Sequence, residues 1–156
     1  MALTIEDGSV VAGANSFANV AYADAYFLTT GMSSWAAATT EDKETALVRA
    51  MDYLESQDWV GHIKETLQPL CFPRVIWGQD LIPDKLKKAQ CELALRELDV
   101  PRSTLPDITR DDFVKTKKVD IITTEYHGNV KPRFQVIRSL LKGLLRRHSN
   151  SAWVEF

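Results

Sequence analysis

Apolar side chains recur every three or four residues in four stretches of the chain, which is the spacing of an amphipathic helix. These stretches predict helices over about 20–30, 41–55, 84–98 and 133–148. The third is apolar on more than one side, as is typical of a central helix or of one that contacts a neighbouring subunit. The pattern therefore predicts a protein of the mainly α class.

Residues with strong capping preferences bound the first two predicted helices. Asn19 is suited to cap the first helix, and Gly31 is suited to end it in the left-handed conformation. Thr39 or Thr40 is suited to cap the second helix, whose first turn carries acidic residues that favour the helix dipole. Helix ends are thus predicted independently of the apolar periodicity.

The segments between these helices differ in character. Residues 1–18 are predicted to be extended, and the prolines and glycines of 57–83 exclude one long helix there. The aromatic residues of 57–83 indicate a loop packed on the core. Residues 115–126 are rich in β-forming side chains and predict one strand, which pairs either with the N-terminal segment or with another chain.

Together these elements predict one domain over residues 1–156. We expect a small helical bundle with a long, partly β segment at about 115–126, a C-terminal amphipathic helix and a tail at 149–156. The last helix has a basic face, so it is either the outer helix of the bundle or a helix that lies on a partner or a membrane surface. The aromatic residues of the tail either fold back or anchor in a partner.

Charge is distributed unevenly along the chain. Residues 1–110 hold 10 Lys and Arg against 16 Asp and Glu, a net charge of −6, whereas residues 111–156 hold 9 against 5, a net charge of +4. Nucleic-acid-binding domains usually have an isoelectric point above about 9, and the value here is 5.9. The overall balance therefore disfavours a free nucleic-acid-binding protein, while the basic last third leaves that function open.

The residues that usually carry chemistry do not form a recognisable motif. His62, His127 and His148 lie far apart, without the spacing of a zinc site, and no phosphate-binding or nucleophile motif is present. Cys71 and Cys91 have apolar neighbours and are expected to be reduced, buried thiols. We therefore expect no enzymatic activity, no metal and no cofactor, and the acidic N-terminus predicts synthesis in a cytoplasm without an export signal.

Two segments, 59–64 and 72–77, interleave aromatic and basic side chains. Such interleaving is found where single-stranded nucleic acid stacks on a protein, although aromatic residues of this kind are more often part of a core.

Several segments, taken in order, resemble one family of tailed-phage proteins over about residues 5–145. That family is the head–tail connector adaptor, or head-completion, group, whose members are often labelled DnaT-like single-stranded DNA-binding proteins. Phe72 stands where the family usually has tryptophan, and residues 147–156 extend beyond the match. The segments are NSF (15–17), AYADAYF (21–27), ALVRAMDYL (46–54), QPLCFPR (68–74), IPDKLKKAQCELA (82–94), KKV (117–119), EY (125–126) and the closing helix (134–145).

The resemblance implies a structural virion protein at the neck, made in the host cytoplasm. Such adaptors form a twelve-fold ring that binds the portal protein, extends the channel through which genomic double-stranded DNA passes, and provides the platform for the next neck or tail protein. No membrane partner is implied. The alternative is the literal label, a single-stranded DNA-binding replication accessory protein.

The resemblance also leads to two sets of expected contact residues. In such adaptors the C-terminal part engages the portal, and an extended loop contacts neighbouring subunits. The expected portal-docking residues are Leu141, Leu144, Leu145, Arg146, Arg147, Trp153, Val154 and Phe156. The expected subunit-contact residues are Lys117, Val119, Ile121, Ile122, Tyr126 and Leu95.

Overall fold

A computed structural model describes residues 2–76, 79–105, 116–119, 122–125 and 134–146. The described residues are mainly helical, as the sequence predicts, with short strands between the helices. The elements in chain order are α1 (Val20–Thr30), α2 (Ser33–Ala37), α3 (Thr40–Glu55), β1 (His62–Ile63), β2 (Arg74–Ile76), β3 (Gln79–Leu81), α4 (Asp84–Asp99), β4 (Thr116–Val119), β5 (Ile122–Glu125) and α5 (Gln135–Leu140).

The caps expected for α1 and α3 are confirmed. The side chain of Asn19 accepts a hydrogen bond from the backbone N–H of Tyr22 at 2.8 Å. Gly31 has a φ of 71° and donates its N–H to the carbonyl of Phe27, which ends α1. Thr39 caps α3 by accepting from the N–H of Asp42 at 3.2 Å. Local side-chain chemistry therefore sets where these helices begin and where α1 ends.

The two long helices, α3 and α4, pack against each other and form the centre of the core. Leu47 and Leu54 of α3 and Leu86 and Leu93 of α4 are fully buried. Helix α4 also packs on α1, α2 and α5, so of the two alternatives for its wide apolar surface the structure supports a central helix, and contact with a neighbouring subunit stays a prediction.

The segment expected to be a loop packed on the core contains a small antiparallel sheet, in the order β1–β2–β3. Its aromatic residues do pack on the core: the rings of Trp59 and Phe72 are buried and meet at 5.1 Å between centroids. The prediction missed the strands because they are only two or three residues long and depend on pairings such as Val75 with His62 and Asp80. Such pairing leaves no periodicity in the sequence.

Helix α5 is shorter than the helix predicted over 133–148. It ends at Leu140, and Gly143 follows with a φ of 90°. The chain then runs beside residues 58–60, where the N–H of Val60 donates to the carbonyl of Leu144 and the N–H of Arg146 donates to the carbonyl of Asp58, both at 2.9 Å. These long-range backbone bonds replace the helical ones, so the prediction of a continuous helix was wrong.

The described part of residues 115–126 contains two short strands, where the sequence predicts one. Strands β4 and β5 pair with each other as an antiparallel hairpin, from Thr116 opposite Glu125 to Val119 opposite Ile122. Within the described residues these strands pair with each other and not with the N-terminal segment, so that alternative is wrong, while pairing with another chain stays a prediction. The N-terminal segment makes its own isolated bridge, between Ile5 and Ser16.

Buried polar groups within the described residues are satisfied. Glu97, which is 2% exposed, accepts hydrogen bonds from the backbone N–H of Arg102 and from both the N–H and the hydroxyl of Thr104. Its carboxylate thus fixes the turn that follows α4. Cys71 and Cys91 are buried free thiols, as expected, and burial raises the pKa of both, that of Cys91 to about 12.

Candidate nucleic-acid interface

Two aromatic rings from distant parts of the chain meet at the junction of α3, α4 and α5. The rings of Tyr53, on α3, and Phe134, the residue that precedes α5, lie edge to face with centroids 5.7 Å apart and planes at 73°. Both side chains are partly buried and pack against the core, so part of each remains accessible to solvent. The packing of α5 on α4 brings this pair together.

A guanidinium group lies over one of these rings. The Cζ of Arg96, on α4, is 5.4 Å from the ring centroid of Phe134, within the range of a cation–π contact. A salt bridge of 3.3 Å to Glu92, one helical turn earlier, holds the same guanidinium. The Arg96 side chain remains 29% exposed, so its planar group is fixed in place and still reachable.

The guanidinium of Arg138 acts electrostatically on the hydroxyl group of Tyr53, the other ring of the pair. Arg138 is exposed and lies one turn after Phe134. Burial raises the pKa of the Tyr53 hydroxyl, and the positive charge of Arg138 offsets part of that rise. The phenol therefore stays neutral near pH 7, with a cation beside it. We refer to Tyr53, Phe134, Arg96 and Arg138 as the Tyr53–Phe134 surface.

Further exposed cations lie near this surface in the sequence. Arg138, Lys142 and Arg146 follow one another at intervals of four residues, and all three are exposed. Arg49 is exposed one helical turn before Tyr53 on α3. Aromatic faces flanked by guanidinium groups are suited to stack with bases and to neutralise phosphates, which is the chemistry of single-strand binding.

The expected portal-docking residues that the structure describes lie in different surroundings. Leu141 and Leu144 are 1% and 8% exposed and belong to the chain's own core, so they are not surface residues. Leu145 is partly buried and forms an isolated bridge with Trp59, whereas Arg146 is exposed. The remaining four residues lie outside the described residues: Arg147, Trp153, Val154 and Phe156.

The expected subunit-contact residues are divided between two places. Lys117 and Val119 lie on β4 and Ile122 lies on β5, within the hairpin. Leu95 is partly buried on α4 and packs against the core. Ile121 and Tyr126 lie outside the described residues.

In the two aromatic–basic segments of the sequence, the aromatic side chains that the structure describes are buried. Trp59 is 5% exposed and Phe72 is fully buried. The guanidinium of Arg74 donates to the carbonyls of Val60 and Gly61, so it stabilises the chain locally. The interpretation of these aromatic residues as core is confirmed for Trp59 and Phe72, and Trp77 lies outside the described residues.

Sequence reasoning missed the Tyr53–Phe134 surface because its members are far apart along the chain. Tyr53 and Arg96 lie on separate helices, and each looks like an ordinary half-exposed helix residue in the sequence. The one usable signal was the basic last third, which contains Arg138. Within the described residues, no group of three or more His, Cys, Asp or Glu could hold a metal ion. No helix in that part of the chain is long and apolar enough to cross a membrane.

Comparison with known proteins gives one family. A family model described as "Putative DnaT-like ssDNA binding protein" matches residues 1–155. No curated protein matches the chain, and no solved structure does. The DnaT-like label expected from the resemblance is thereby confirmed. The family description names single-stranded DNA as the ligand, so the expectation of a head–tail adaptor ring at the virion neck is corrected in favour of the alternative. Because the match spans nearly the whole chain, this protein belongs to the DnaT-like single-stranded DNA-binding protein family.

Proposed function

We propose that this chain binds single-stranded DNA and that the Tyr53–Phe134 surface is part of the binding site. The observation that carries the proposal is the meeting of two aromatic rings with the guanidinium of Arg96 at the junction of three helices, where the charge of Arg138 also acts on Tyr53. Family membership supports the same ligand. Stacking on an aromatic side chain contributes about 1–3 kcal/mol per base and tolerates any sequence.

The charge distribution sets how strong this binding can be. The acidic net charge of residues 1–110 repels DNA, whereas the cations after residue 134 attract it. If about three to four phosphates are neutralised, log K falls with log salt at a slope of roughly −2 to −3 for a single strand. We therefore expect moderate affinity that is strongly weakened by salt.

Fluorescence anisotropy with a labelled oligothymidine of about 15 nucleotides tests the proposal on the full chain. Affinity is expected to fall with the slope above as NaCl rises from about 50 to about 200 mM. Arg138→Gln should weaken binding and make the slope shallower by about 0.7. The matched control is Lys85→Gln, which makes the same charge change at an exposed position in the first turn of α4 and should leave binding nearly unchanged.

The aromatic part of the site is tested separately. Tyr53→Leu removes the ring and should weaken binding about 5-fold or more, whereas Tyr53→Phe keeps the stacking face and should bind like the parent chain. Absence of binding at about 50 mM salt would overturn the proposal. Equal losses in Arg138→Gln and Lys85→Gln would show that net charge, and not this surface, is responsible.

A further inference from the structure

A cleft of about 480 Å³ opens between α1, α2 and the first turn of α3, separate from the Tyr53–Phe134 surface. The buried rings of Phe27 and Trp35 lie at its base, 4.8 Å apart between centroids and inclined by 39°. The apolar side chains that line it are those of Ala25, Leu28, Met32 and Ala36.

Some of these apolar groups are unusually open to solvent. Leu28 is 85% exposed and Met32 is 41% exposed. Concave surfaces with apolar walls and a few placed polar groups are typical of small-ligand sites. The volume of this cleft is large enough for one nucleoside and lies within the usual range of ligand pockets, about 300–1,000 Å³.

One carboxylate lines the cleft and is held rigidly. The Oδ1 of Asp24 accepts hydrogen bonds from the indole Nε1 of Trp35 at 2.8 Å and from the Nζ of Lys43 at 2.9 Å. The Oδ2 of Asp24 accepts none from the described residues, and the side chain is 48% exposed. Two donors thus fix the carboxylate through one oxygen and leave the other available.

The negative charge of Asp24 is balanced by Lys43, so this position does not carry a net charge that would repel a DNA strand. Lys43 is only 12% exposed and lies 2.9 Å from Asp24, so the pair is neutral as a unit. Burial raises the pKa of Asp24, but the hydrogen bonds from Lys43 and Trp35 outweigh burial and hold this pKa below its ordinary value. The carboxylate is therefore ionised at neutral pH and acts only as an acceptor. A ligand must bring a hydrogen-bond donor to it.

We propose that this cleft takes one unstacked base of the bound strand and that the Oδ2 of Asp24 accepts a hydrogen bond from the exocyclic amino group of that base. The inference rests on the proposed single-stranded DNA binding and adds a base preference to it. Asp and Glu accept readily from the N4 amino group of cytosine. Thymine carries a carbonyl oxygen at the same position. Its N3–H is the donor it can offer, and the two carbonyl oxygens beside that N–H repel the carboxylate, so the cleft favours amino-bearing bases over thymine.

The position of the cleft is compatible with one strand reaching both places. Lys43 and Tyr53 are ten residues apart on α3, which is about 15 Å along the helix axis. A strand of a few nucleotides can span that distance, stacking at one end and placing a base in the cleft at the other.

Anisotropy titrations with oligodeoxycytidine and oligothymidine of equal length test the inference, because cytosine has an amino group at position 4 where thymine has a carbonyl oxygen. The parent chain is expected to bind oligodeoxycytidine about 5- to 10-fold more tightly, as one charge-assisted hydrogen bond would give. Asp24→Asn should remove this preference and leave the affinity for oligothymidine within about 2-fold. Asp84→Asn is the matched control, because Asp84, like Asp24, is bonded to a lysine and to an aromatic side chain, here that of Tyr22, but lies outside the cleft.

A second variant covers the case in which Asp24→Asn fails to fold. Ala36 is exposed on the wall of the cleft, so Ala36→Phe fills the cleft without entering the core and should also remove the preference. Equal binding of both oligonucleotides by the parent chain, or a preference retained in Ala36→Phe, overturns the cleft inference and leaves the proposed function standing. Failure of the parent chain to bind either oligonucleotide overturns both.

Discussion

Gln90, on the buried side of α4, holds the backbone of Phe17 in place just before α1. Its Oε1 accepts hydrogen bonds from the N–H of Phe17 at 3.1 Å and from the N–H of Ala18 at 3.0 Å. Its Nε2 donates to the hydroxyl of Ser16 at 2.7 Å and to the carbonyl of Leu47, on α3, at 3.0 Å. One buried amide therefore joins the N-terminal segment, α3 and α4 in the core.

Replacement of this amide should strongly destabilise the fold. Gln90→Leu keeps the side-chain size but leaves buried N–H and C=O groups without partners, at a cost of about 2–4 kcal/mol in the free energy of unfolding. Urea unfolding followed by circular dichroism measures this. The control Gln135→Leu changes an exposed glutamine at the start of α5 and should stay within about 0.5 kcal/mol of the parent. Equal effects would contradict the role assigned to Gln90.

Glycine is required at position 61 because the backbone of Val75 passes too close for any side chain. Gly61 has a φ of 81°, and a Cβ added there would lie 2.3 Å from the carbonyl oxygen of Val75. The left-handed conformation alone costs a non-glycine residue about 1–2 kcal/mol. Gly61→Ala should lower the free energy of unfolding by well over that amount, because the sheet must also shift to make room for the Cβ. Gly13→Ala is the matched control: its φ is 71° and nothing lies within 4 Å of the added Cβ, so it carries only the conformational cost. Thermal unfolding distinguishes the two.

Leu141 is buried in the chain's own core, and a pair of leucine truncations tests that assignment. Leu141 is 1% exposed, so Leu141→Ala should lower the free energy of unfolding by about 2–5 kcal/mol. Leu28 is 85% exposed, so Leu28→Ala should change it by no more than about 0.5 kcal/mol. Chemical unfolding of both variants measures the difference. A small effect of Leu141→Ala on the free energy of unfolding would contradict the assignment of Leu141 to the core.

Tyr26 should make stability depend on pH in the alkaline range. Burial and the hydrogen bond that its hydroxyl donates to Glu92 raise the pKa of Tyr26 from 10.0 to about 12. Its contribution to stability is therefore complete below about pH 10 and is lost as pH rises toward 12, because the unfolded chain ionises first. Urea unfolding at several values from pH 9 to 11.5 should show a shallower decline for Tyr26→Phe than for the parent. Identical slopes would contradict the shifted pKa.

Several helices followed from the sequence alone because their causes are local. The caps Asn19 and Thr39, the left-handed Gly31 and the apolar stripes of α3 and α4 all act within one or two turns of the chain. The burial of Cys71 and Cys91 was also predictable, because each has apolar neighbours in the sequence. The sequence also indicated that the cations gather in the last third.

The tertiary structure decided the elements and sites that depend on distant partners. Helix α5 ends at Leu140 because the residues that follow form backbone hydrogen bonds with residues 58–60. No local sequence pattern predicts these long-range bonds. The Tyr53–Phe134 pair joins one residue that precedes α4 in the sequence and one that follows it. The cleft beside Asp24 exists only where α1, α2 and α3 meet. Periodicity and capping are properties of neighbouring residues, whereas a binding surface is a property of whichever helices pack side by side. Which helices those are is set by the tertiary packing of α3 against α4 and of α1, α2 and α5 around α4.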